Sequence, residues 1–501
     1  MRQRFGLKKA HLPDSLVQIM KRRLSSFAIA AILVFPCLPT GAQEAKPALR
    51  AGAATSVITP PLGEPIVGGF TPFPAEHIHD ELHARCLVLD DGKTKIAFVV
   101  CDLLGLHRAA ALAAKEHIER ELSIPPSHVM ISATHTHSAT NALGKPPRAY
   151  ASDIEPTDYE KFVARRIADG VRCAVNLLRP AEIAFGHLDA PEHVFNRRWF
   201  LKEGTMPENP FGKTDEKVKM NPGSANLVEP AGPIDPRVSF VALREPDGKI
   251  ISLLTAYSLH YVGGVGRAHV SADYFGYYSK AVERLLGQKN QDPPVVAMMA
   301  NGTSGDINNI NFREPRGRKE PYEQMQYVAN DLADKVAAAV AGLEWQTEAV
   351  VDARYRELDV KWRTIPEELL QWARETEANA PRIGDKAVLP LSYAGRVQRL
   401  AQASPETKLP VQAFRIGGIL IGTSPCETFA ETGLEFRERS PFEKSFMIEL
   451  ANGYYGYMPT PRHFELGGYE TWPGTNNLEP QASVKLLDAL MEMAAELKGA
   501  N

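Results

Sequence analysis

The chain has 501 residues, of which 44% are hydrophobic and 23% are charged. This composition is that of an ordinary globular protein, long enough for one large catalytic domain or roughly two to three smaller ones. The formal net charge is -3, from 57 basic and 60 acidic residues, so the charge gives no reason to expect a nucleic-acid partner. No heptads, short repeats or low-complexity tracts stand out.

The N-terminus has the pattern of a targeting segment. Residues 21–23 are Lys-Arg-Arg, and residues 27–38 form an apolar run too short to span a bilayer comfortably. Met20 stands directly before the basic cluster, and we interpret it as the true start. Residues 1–42 are therefore predicted to be an upstream extension and a signal peptide. Residues 43–501 are predicted to be the mature chain, exported to the periplasm or secreted.

Cysteine usage adds little to this prediction. Five cysteines are present; Cys37 lies in the signal segment, and the other four form no CxxC pair. An exported compartment permits disulfides, but a domain of this size needs none. Cys86 and Cys173 are therefore predicted to be buried free thiols.

Predicted strands and helices alternate along the mature chain. The predicted strands cover residues 53–59, 83–90, 94–101, 129–133, 238–243, 250–257, 294–300, 350–362, 414–422 and 446–450. The predicted helices cover residues 109–122, 157–178, 274–286, 321–343, 365–376 and 482–497. Asp91-Gly92 is a strong hairpin signal, Thr157 is a predicted N-cap, and residues 200–233 are predicted to be a long surface loop. The alternation predicts an α/β fold with mixed sheets flanked by helices. We expect a single large catalytic domain, because no Gly/Ser linker divides it.

The histidine pair in His135-Thr136-His137 is the most informative local feature. The apolar run before it predicts a buried strand, and side chains two apart on a strand point to the same face. Two imidazoles on one face can bind a single divalent ion, and zinc accepts such nitrogens readily. The alternative is a pair of polar residues at a strand end that bind phosphate or water.

Other polar residues also stand at the ends of apolar strands, where α/β folds usually build sites. His260 and Glu427 each follow a predicted strand, Tyr457 lies in a tyrosine-rich segment, and residues 302–309 form a Gly-rich polar loop. Taken singly, each has an ordinary structural alternative: a local hydrogen bond, a carboxylate in the first turn of a helix, or packing. The Gly-rich loop lacks the lysine of a nucleotide-binding loop.

Together these motifs resemble those of the neutral (alkaline) ceramidases, specifically their N-terminal catalytic domain. The resemblance extends from about residue 50 to about residue 480. It rests on Ser132-Ala-Thr-His-Thr-His-Ser138, Asn196-Arg197, His260 with Ser271-Ala-Asp-Tyr-Phe-Gly-Tyr277, Ser304-Gly-Asp-Ile307, Glu427 and Asn452-Gly-Tyr-Tyr-Gly-Tyr457.

The resemblance implies a site as well as a fold. It implies one zinc ion held by four residues: His135, His260, Glu427 and Tyr457. It also implies that His137 transfers protons beside the metal and that Arg197 and Tyr469 lie near the scissile carbonyl. Zinc lowers the pKa of bound water, an imidazole transfers protons, and cationic or hydroxyl donors stabilise an oxyanion. The implied reaction is hydrolysis of an amide bond, in N-acyl sphingosine or a related N-acyl compound, to an acid and an amine.

Two features depart from the family pattern. Asn308 stands where family ceramidases carry a serine, and an amide cannot replace a hydroxyl as a donor or alkoxide. The chain also stops at Asn501, so we expect it to lack the immunoglobulin-like domain that follows in ceramidases. A lipid or other small molecule is the expected substrate, with transient contact with a membrane surface. We expect weak hydrolysis of ceramide and a preference for another amide or ester. The alternative is a non-catalytic binding protein on the same fold.

Overall fold

The computed structural model describes residues 49–69, 71–140, 142–143, 155–383 and 388–500. The predicted extension and signal segment lie outside the described residues. Those that are described belong to one compact unit, Lys46–Asn501. Among them, no helix combines the length and the apolar composition that crossing a bilayer requires.

The described residues form strands of very different lengths. In chain order they are β1 (Arg50–Val57), β2 (Pro65–Ile66), β3 (Phe73–Pro74), β4 (His77–Ile78), β5 (His83–Asp90), β6 (Lys95–Cys101), β7 (Val129–Ala133), β8 (Arg179–Pro180), β9 (Glu182–Asp189), β10 (Phe195–Asn196), β11 (Arg198–Leu201), β12 (Val218–Met220), β13 (Leu227–Pro230), β14 (Arg237–Arg244), β15 (Ile250–Tyr257), β16 (His269–Val270), β17 (Val296–Asn301), β18 (Ile307–Asn308), β19 (Val351–Lys361), β20 (Glu406–Ile416), β21 (Ile419–Thr423), β22 (Glu427–Thr428), β23 (Lys444–Ile448) and β24 (Tyr457–Met458).

Helices separate these strands. They are α1 (Arg108–Leu122), α2 (Asp158–Asn176), α3 (Asp273–Leu286), α4 (Glu323–Val340), α5 (Glu367–Ile383), α6 (Val388–Ala401), α7 (Ala430–Arg439), α8 (Pro461–Leu466) and α9 (Ala482–Gly499). Short 3-10 helices cover Pro126–His128, Pro191–His193 and Tyr469–Thr471.

The three larger sheets share one topology. Their strand orders are β1-β5-β6-β7, with β8 beyond β1, then β9-β14-β15-β17, and β19-β20-β21-β23. In each sheet, an antiparallel hairpin leads into a helix, and the helix returns the chain to a strand parallel to the second hairpin strand. The first strand pairs antiparallel with the other side of the hairpin. The chain therefore repeats one supersecondary unit three times.

Alternation along the strands gives each sheet two apolar faces. On β5, Cys86 packs in the cluster that includes α1 and α2, whereas Leu87 points to the opposite face. The inner faces of all three sheets share one core, which contains Phe98, Met298 and Phe414. The outer faces are covered by α1 and α2, by α3 and α4, and by α7 and α9. The predicted class, mixed sheets flanked by helices, is confirmed.

Several local predictions differ from the structure. Residues 200–233, predicted as a loop, contain β12, β13 and the end of β11, which form a small sheet; strands of three or four residues are too short to show a period. The predicted strand at residues 414–422 is a hairpin that turns at Gly417 (φ +58°), inside an apolar run. Helices α6 and α7 were not predicted. Cys86 is buried, but Cys173 is exposed, so the prediction of burial is wrong there.

Candidate active site

The carboxyl ends of β7, β17 and β23 meet at one place. The Asn301 side chain donates from Nδ2 to the carbonyls of Thr134 and His260, at 3.3 and 3.2 Å. The Glu449 N–H donates to the Asn301 carbonyl at 3.1 Å. Asn301 thus ties the ends of the three sheets together, and the polar residues that follow these strands are held in one region.

His135 and His137 lie in the loop after β7. The strand ends at Ala133, and His135 has a left-handed backbone, with φ +68°, which is uncommon for a residue other than glycine. Its imidazole plane makes an angle of 83° with that of His137, and their Nε2 atoms are 3.1 Å apart. The structure therefore brings the two side chains together, as predicted, but through this backbone turn and not through alternation along a strand.

His260 and Glu427 complete the cluster. Oε2 of Glu427 lies 3.3 Å from Nε2 of His135 and 3.5 Å from Nε2 of His260. All three side chains are at most 2% exposed. The rings of His135, His137 and His260 each offer a nitrogen within 4.8 Å of the others. His137 therefore meets the same 4.8 Å limit as the two predicted histidine ligands, His135 and His260.

Backbone carbonyls orient the rings. His135 Nδ1 lies 2.7 Å from the Leu104 carbonyl, and His260 Nδ1 lies 3.2 Å from the Ser304 carbonyl. An Nδ1–H that donates to a carbonyl leaves the Nε2 lone pair for a ligand, which is the usual arrangement of metal-binding histidines. Burial lowers the pKa of His137 and of His260 well below the ordinary value. These two rings are therefore neutral, the form that binds metals.

Two buried atoms at the centre lack partners. Among the described residues, His260 Nε2 and Glu427 Oε2 are shielded from solvent and have no hydrogen-bond partner. If His260 donates its Nδ1–H to the Ser304 carbonyl, its Nε2 carries a lone pair, and a lone pair and an ionised carboxylate oxygen cannot satisfy one another because neither carries a proton. Leaving such acceptors buried and unpaired is costly, whereas a divalent cation between them would satisfy all. Imidazole nitrogen and carboxylate oxygen are ligands that zinc accepts, so the donor set fits this ion.

Two tyrosines flank Glu427. The parallel pair β22–β24 places Tyr457 directly beside Glu427, and the Tyr454 hydroxyl donates to Glu427 Oε1 at 2.6 Å. Burial alone would raise the pKa of Glu427, but the nearby His135 and the two tyrosine hydroxyls lower it to about 2. The carboxylate is therefore ionised at neutral pH. Tyr454 belongs to the tyrosine motif Asn452-Gly-Tyr-Tyr-Gly-Tyr457, but nothing in its local sequence indicates this bond to Glu427.

Arg197 and Tyr469 lie beside Tyr457. The Arg197 guanidinium carbon is 5.3 Å from the centre of the Tyr457 ring, and the Tyr469 ring is 5.7 Å from it. Arg197 donates to Glu470 and to the Gly305 carbonyl, both at 2.8 Å. Burial raises the pKa of Tyr469 to about 12, so its hydroxyl keeps its proton and can donate. Sequence reasoning missed Glu470, although it is the neighbour of Tyr469.

His137 is held by residues that sequence reasoning did not single out. The Tyr261 ring stacks on it at 3.9 Å, with the planes 12° apart. Gly68 has φ +134°, and a Cβ at this position would lie 2.8 Å from the Cβ of His137. Only a glycine can approach the imidazole so closely.

Glu449 is connected to His260 through Ser304. It is fully buried; its Oε1 accepts from the Ser304 hydroxyl at 2.7 Å, and its Oε2 accepts from the Thr428 N–H at 2.6 Å. Ser304 in turn supplies the carbonyl that orients His260. Burial raises the pKa of Glu449 well above the ordinary value, and a carboxyl group in this outer position is typical of metal sites. The sequence signal that could have identified it is a charged residue inside the predicted apolar strand at residues 446–450.

Asn308 is engaged in holding its own loop. It pairs with Phe195 across the β10–β18 ladder. Its Nδ2 donates to Asn221 Oδ1 at 2.8 Å, and its Oδ1 accepts from the Ile310 N–H at 2.9 Å. Both ends of the amide are therefore used in contacts within the protein.

The fold and the site define an α/β protein with a buried imidazole–carboxylate centre of the kind that hydrolases use. The model of the neutral/alkaline non-lysosomal ceramidase family, N-terminal, matches residues 50–319, which is more than half of the chain. The chain belongs to this family, as the motifs predicted, and family membership supports a hydrolase.

Solved structures with a similar fold agree with this assignment. Neutral ceramidase from Pseudomonas aeruginosa has a TM-score of 0.64 and 18% sequence identity, over 90% of this chain and 74% of that one. A ceramidase complexed with C2 has a TM-score of 0.67 and 16% identity, over 90% and 75% of the respective chains. At these identities the likeness establishes the fold.

Proposed function

We propose that the chain is an exported, zinc-dependent hydrolase that cleaves the amide bond of N-acyl sphingosine or a related N-acyl compound. The observation that carries the proposal is the pair of unpartnered buried atoms, His260 Nε2 and Glu427 Oε2, which face His135 Nε2. Family membership supports the reaction class and a lipid substrate. The basic and apolar pattern of residues 21–38 supports export.

The proposed zinc ligands are four residues: His135, His260, Glu427 and Tyr457. A zinc ion held by them would supply Lewis-acid polarisation and a lowered pKa for water. Tyr457 is assigned to this set because it neighbours Glu427 across a parallel bridge and because its hydroxyl helps to lower the pKa of that carboxyl group.

The remaining site residues handle protons and charge. His137 is neutral and has an Nε2 at the centre, so it can accept a proton from water and return it to the departing amine. Arg197 and Tyr469 are the donors placed to stabilise the negative charge that develops on the carbonyl oxygen. The products are a carboxylic acid and an amine.

Metal content and turnover of variants test the ligand assignment. We expect one zinc ion per chain at this centre, and His260→Ala should lose the zinc and the activity together. His137→Ala should keep the zinc but lose about 10²–10⁴-fold in kcat. His187→Ala, at an exposed histidine, is the matched control. Full activity after removal of zinc by a chelator contradicts zinc dependence, and loss of this zinc from His137→Ala contradicts the role given to that residue.

Asn308 provides the test of substrate preference. A hydrolysis panel should compare ceramide, other N-acyl amines and simple esters, with wild type and Asn308→Ser. We expect weak turnover of ceramide by wild type and a change in preference in the variant. Asn221→Ala removes the hydrogen-bond partner of Asn308 and keeps Asn308 itself, so it controls for loosening of the loop. Efficient wild-type turnover of ceramide that Asn308→Ser leaves unchanged would refute a role for this position.

A further inference from the structure

A second cluster of three histidines lies outside the candidate active site. His77 and His79 are exposed and His269 is half-buried, and each has a ring nitrogen within 4.8 Å of the others. The family motifs given above include none of these three histidines, and the proposed reaction uses none of them.

The backbone explains why these side chains converge. β4 pairs with β16 in a parallel bridge, and His77 stands directly opposite His269. Their ring centres are 4.4 Å apart. His79 is two residues after His77, and side chains at this spacing in extended chain share a face.

Tyrosines orient two of the rings. The His79 ring stacks on Tyr322 at 3.6 Å with the planes 8° apart, and its Nε2 lies 2.8 Å from the Tyr277 hydroxyl. His269 Nδ1 bonds to the Tyr322 hydroxyl. In each ring one nitrogen is occupied and the other is available, and a hydrogen bond to the non-ligating nitrogen is what metal-binding histidines usually have.

From this geometry we propose that His77, His79 and His269 form a second, surface metal site for a borderline divalent transition ion such as Zn²⁺, Cu²⁺ or Ni²⁺. An all-imidazole donor set favours these ions over Mg²⁺ and Ca²⁺, which prefer oxygen. Nitrogen ligands about 2.0–2.1 Å from a tetrahedral zinc are about 3.4 Å apart. The three nitrogens lie within 4.8 Å of one another, so binding an ion requires them to approach by about 1.4 Å at most, and water would complete the shell.

Groups near the cluster both raise and lower the pKa of His79. Burial, the neighbouring His269 and His77, and Lys280 lower the pKa of His79, while Asp80 opposes them. Mutual repulsion among three imidazoles disfavours protonation and favours a bound cation, because the ion uses the lone pairs that protons would otherwise occupy.

A further group of candidate metal ligands, elsewhere in the described residues, is already neutralised by a lysine. Glu192, His193 and Asp331 also lie close together, but the Lys335 ammonium bonds to both Glu192 and Asp331. The ammonium group already pairs with two of the three candidate ligands, so this group carries no metal proposal.

Counting zinc ions in matched variants tests the proposed site. The full chain is titrated with Zn²⁺ by isothermal calorimetry, with elemental analysis after equilibrium dialysis. Wild type should bind one ion more per chain than either His77→Ala or His269→Ala, and His187→Ala should match wild type. The measurement is a difference between variants, so it holds whether or not the candidate active site contains zinc.

Stability measurements give a second, independent result. Binding to the folded state raises the melting temperature, so added Zn²⁺ should stabilise wild type and His187→Ala more than the two cluster variants. All proteins should melt cooperatively at similar temperatures without added metal, which shows that they fold. Equal zinc stoichiometry in all four proteins would overturn the proposal, as would an equal shift in melting temperature.

Discussion

Glu470 is a buried carboxylate shared by two arginines, and Glu470→Gln should destabilise the fold and misplace Arg197. Glu470 and Arg198 are fully buried, and Arg197 is 5% exposed. Arg197 Nε and Arg198 Nη1 donate to the two carboxylate oxygens at 2.8 and 2.6 Å. Burial opposes ionisation of Glu470, but the two guanidinium groups lower its pKa below the ordinary value. The substitution therefore leaves two buried positive charges without their counter-ion.

The size of the effect follows from this arrangement. Removing one partner of a buried ion pair costs about 3–5 kcal/mol. The entropy of unfolding is about 2.1 cal/mol/K per residue, which gives about 1 kcal/mol/K for a unit of the size of residues 46–501. We therefore expect the melting temperature to fall by about 3–5 °C. The Arg197 side chain keeps its hydrogen bond to the Gly305 carbonyl, so we expect its guanidinium group to move only slightly. Because this group lies at the candidate active site, kcat should fall by up to about 10²-fold. The zinc content should stay unchanged.

Thermal unfolding, elemental analysis and steady-state kinetics on wild type and Glu470→Gln test this expectation. Because the pKa of Glu470 is lowered on folding, its contribution to stability is present above its unfolded pKa of about 4.3 and is lost as the pH falls through the folded pKa. The difference between the two proteins should thus persist from about pH 5 to pH 8. Glu492→Gln, which removes an exposed partner of Arg356, is the control and should change stability by less than about 0.5 kcal/mol. If Glu470→Gln melts like the control, the charges are not held as described and the reasoning is refuted.

Three further predictions concern separate parts of the fold. In Gly68→Ala, the new Cβ would lie 2.8 Å from the Cβ of His137, so kcat should fall while elemental analysis finds unchanged zinc. Lys115 is 3% exposed and burial lowers its pKa to about 7; between that pH and about 10.5 only the unfolded chain binds the proton, which destabilises the native state. Lys115→Met should therefore raise the melting temperature at neutral pH by an amount that shrinks towards pH 10.5, and a lower melting temperature at pH 7.5 would contradict this. Thr157 and Glu160 form a capping box at the start of α2, so Thr157→Ala should cost about 1 kcal/mol, measured as a fall of about 1 °C in thermal unfolding.

The sequence predicted strands, turns and helix caps well where they depend on residues close together in the chain. The strand before His135 was predicted with the bounds that the structure has. Asp91-Gly92 marks the β5–β6 turn, where the Asp91 side chain accepts from the Thr94 N–H at 2.7 Å. Thr157 is the N-cap of α2, as predicted. Turns and caps depend on neighbours within a few residues, so the sequence carries their signal directly.

Long-range features could not be predicted in this way. The threefold repetition of one sheet topology has no counterpart in a visible sequence repeat, because each unit can be built from different apolar residues. The left-handed backbone of His135 depends on the hydrogen bond from its N–H to the Leu103 carbonyl, which only the folded chain provides. Glu449 gave a weak signal, since a single charge in an apolar strand identifies no partner. Its bond to Ser304 joins residues 145 positions apart.

The repeated topology explains how the candidate ligands come from distant parts of the chain. His260 follows β15 and Glu427 follows β21, and these are corresponding strands of the second and third sheets. In the first sheet, the polar residue that directly follows β6 is Asp102, which pairs with Arg85 at 2.7 Å. The first sheet contributes His135 from the loop after its last strand instead. Each sheet thus supplies a candidate ligand, and the distances between the candidate ligands depend on packing in the core that the sheets share. A metal bound at this centre links all three units, so its binding should stabilise the whole domain rather than one loop.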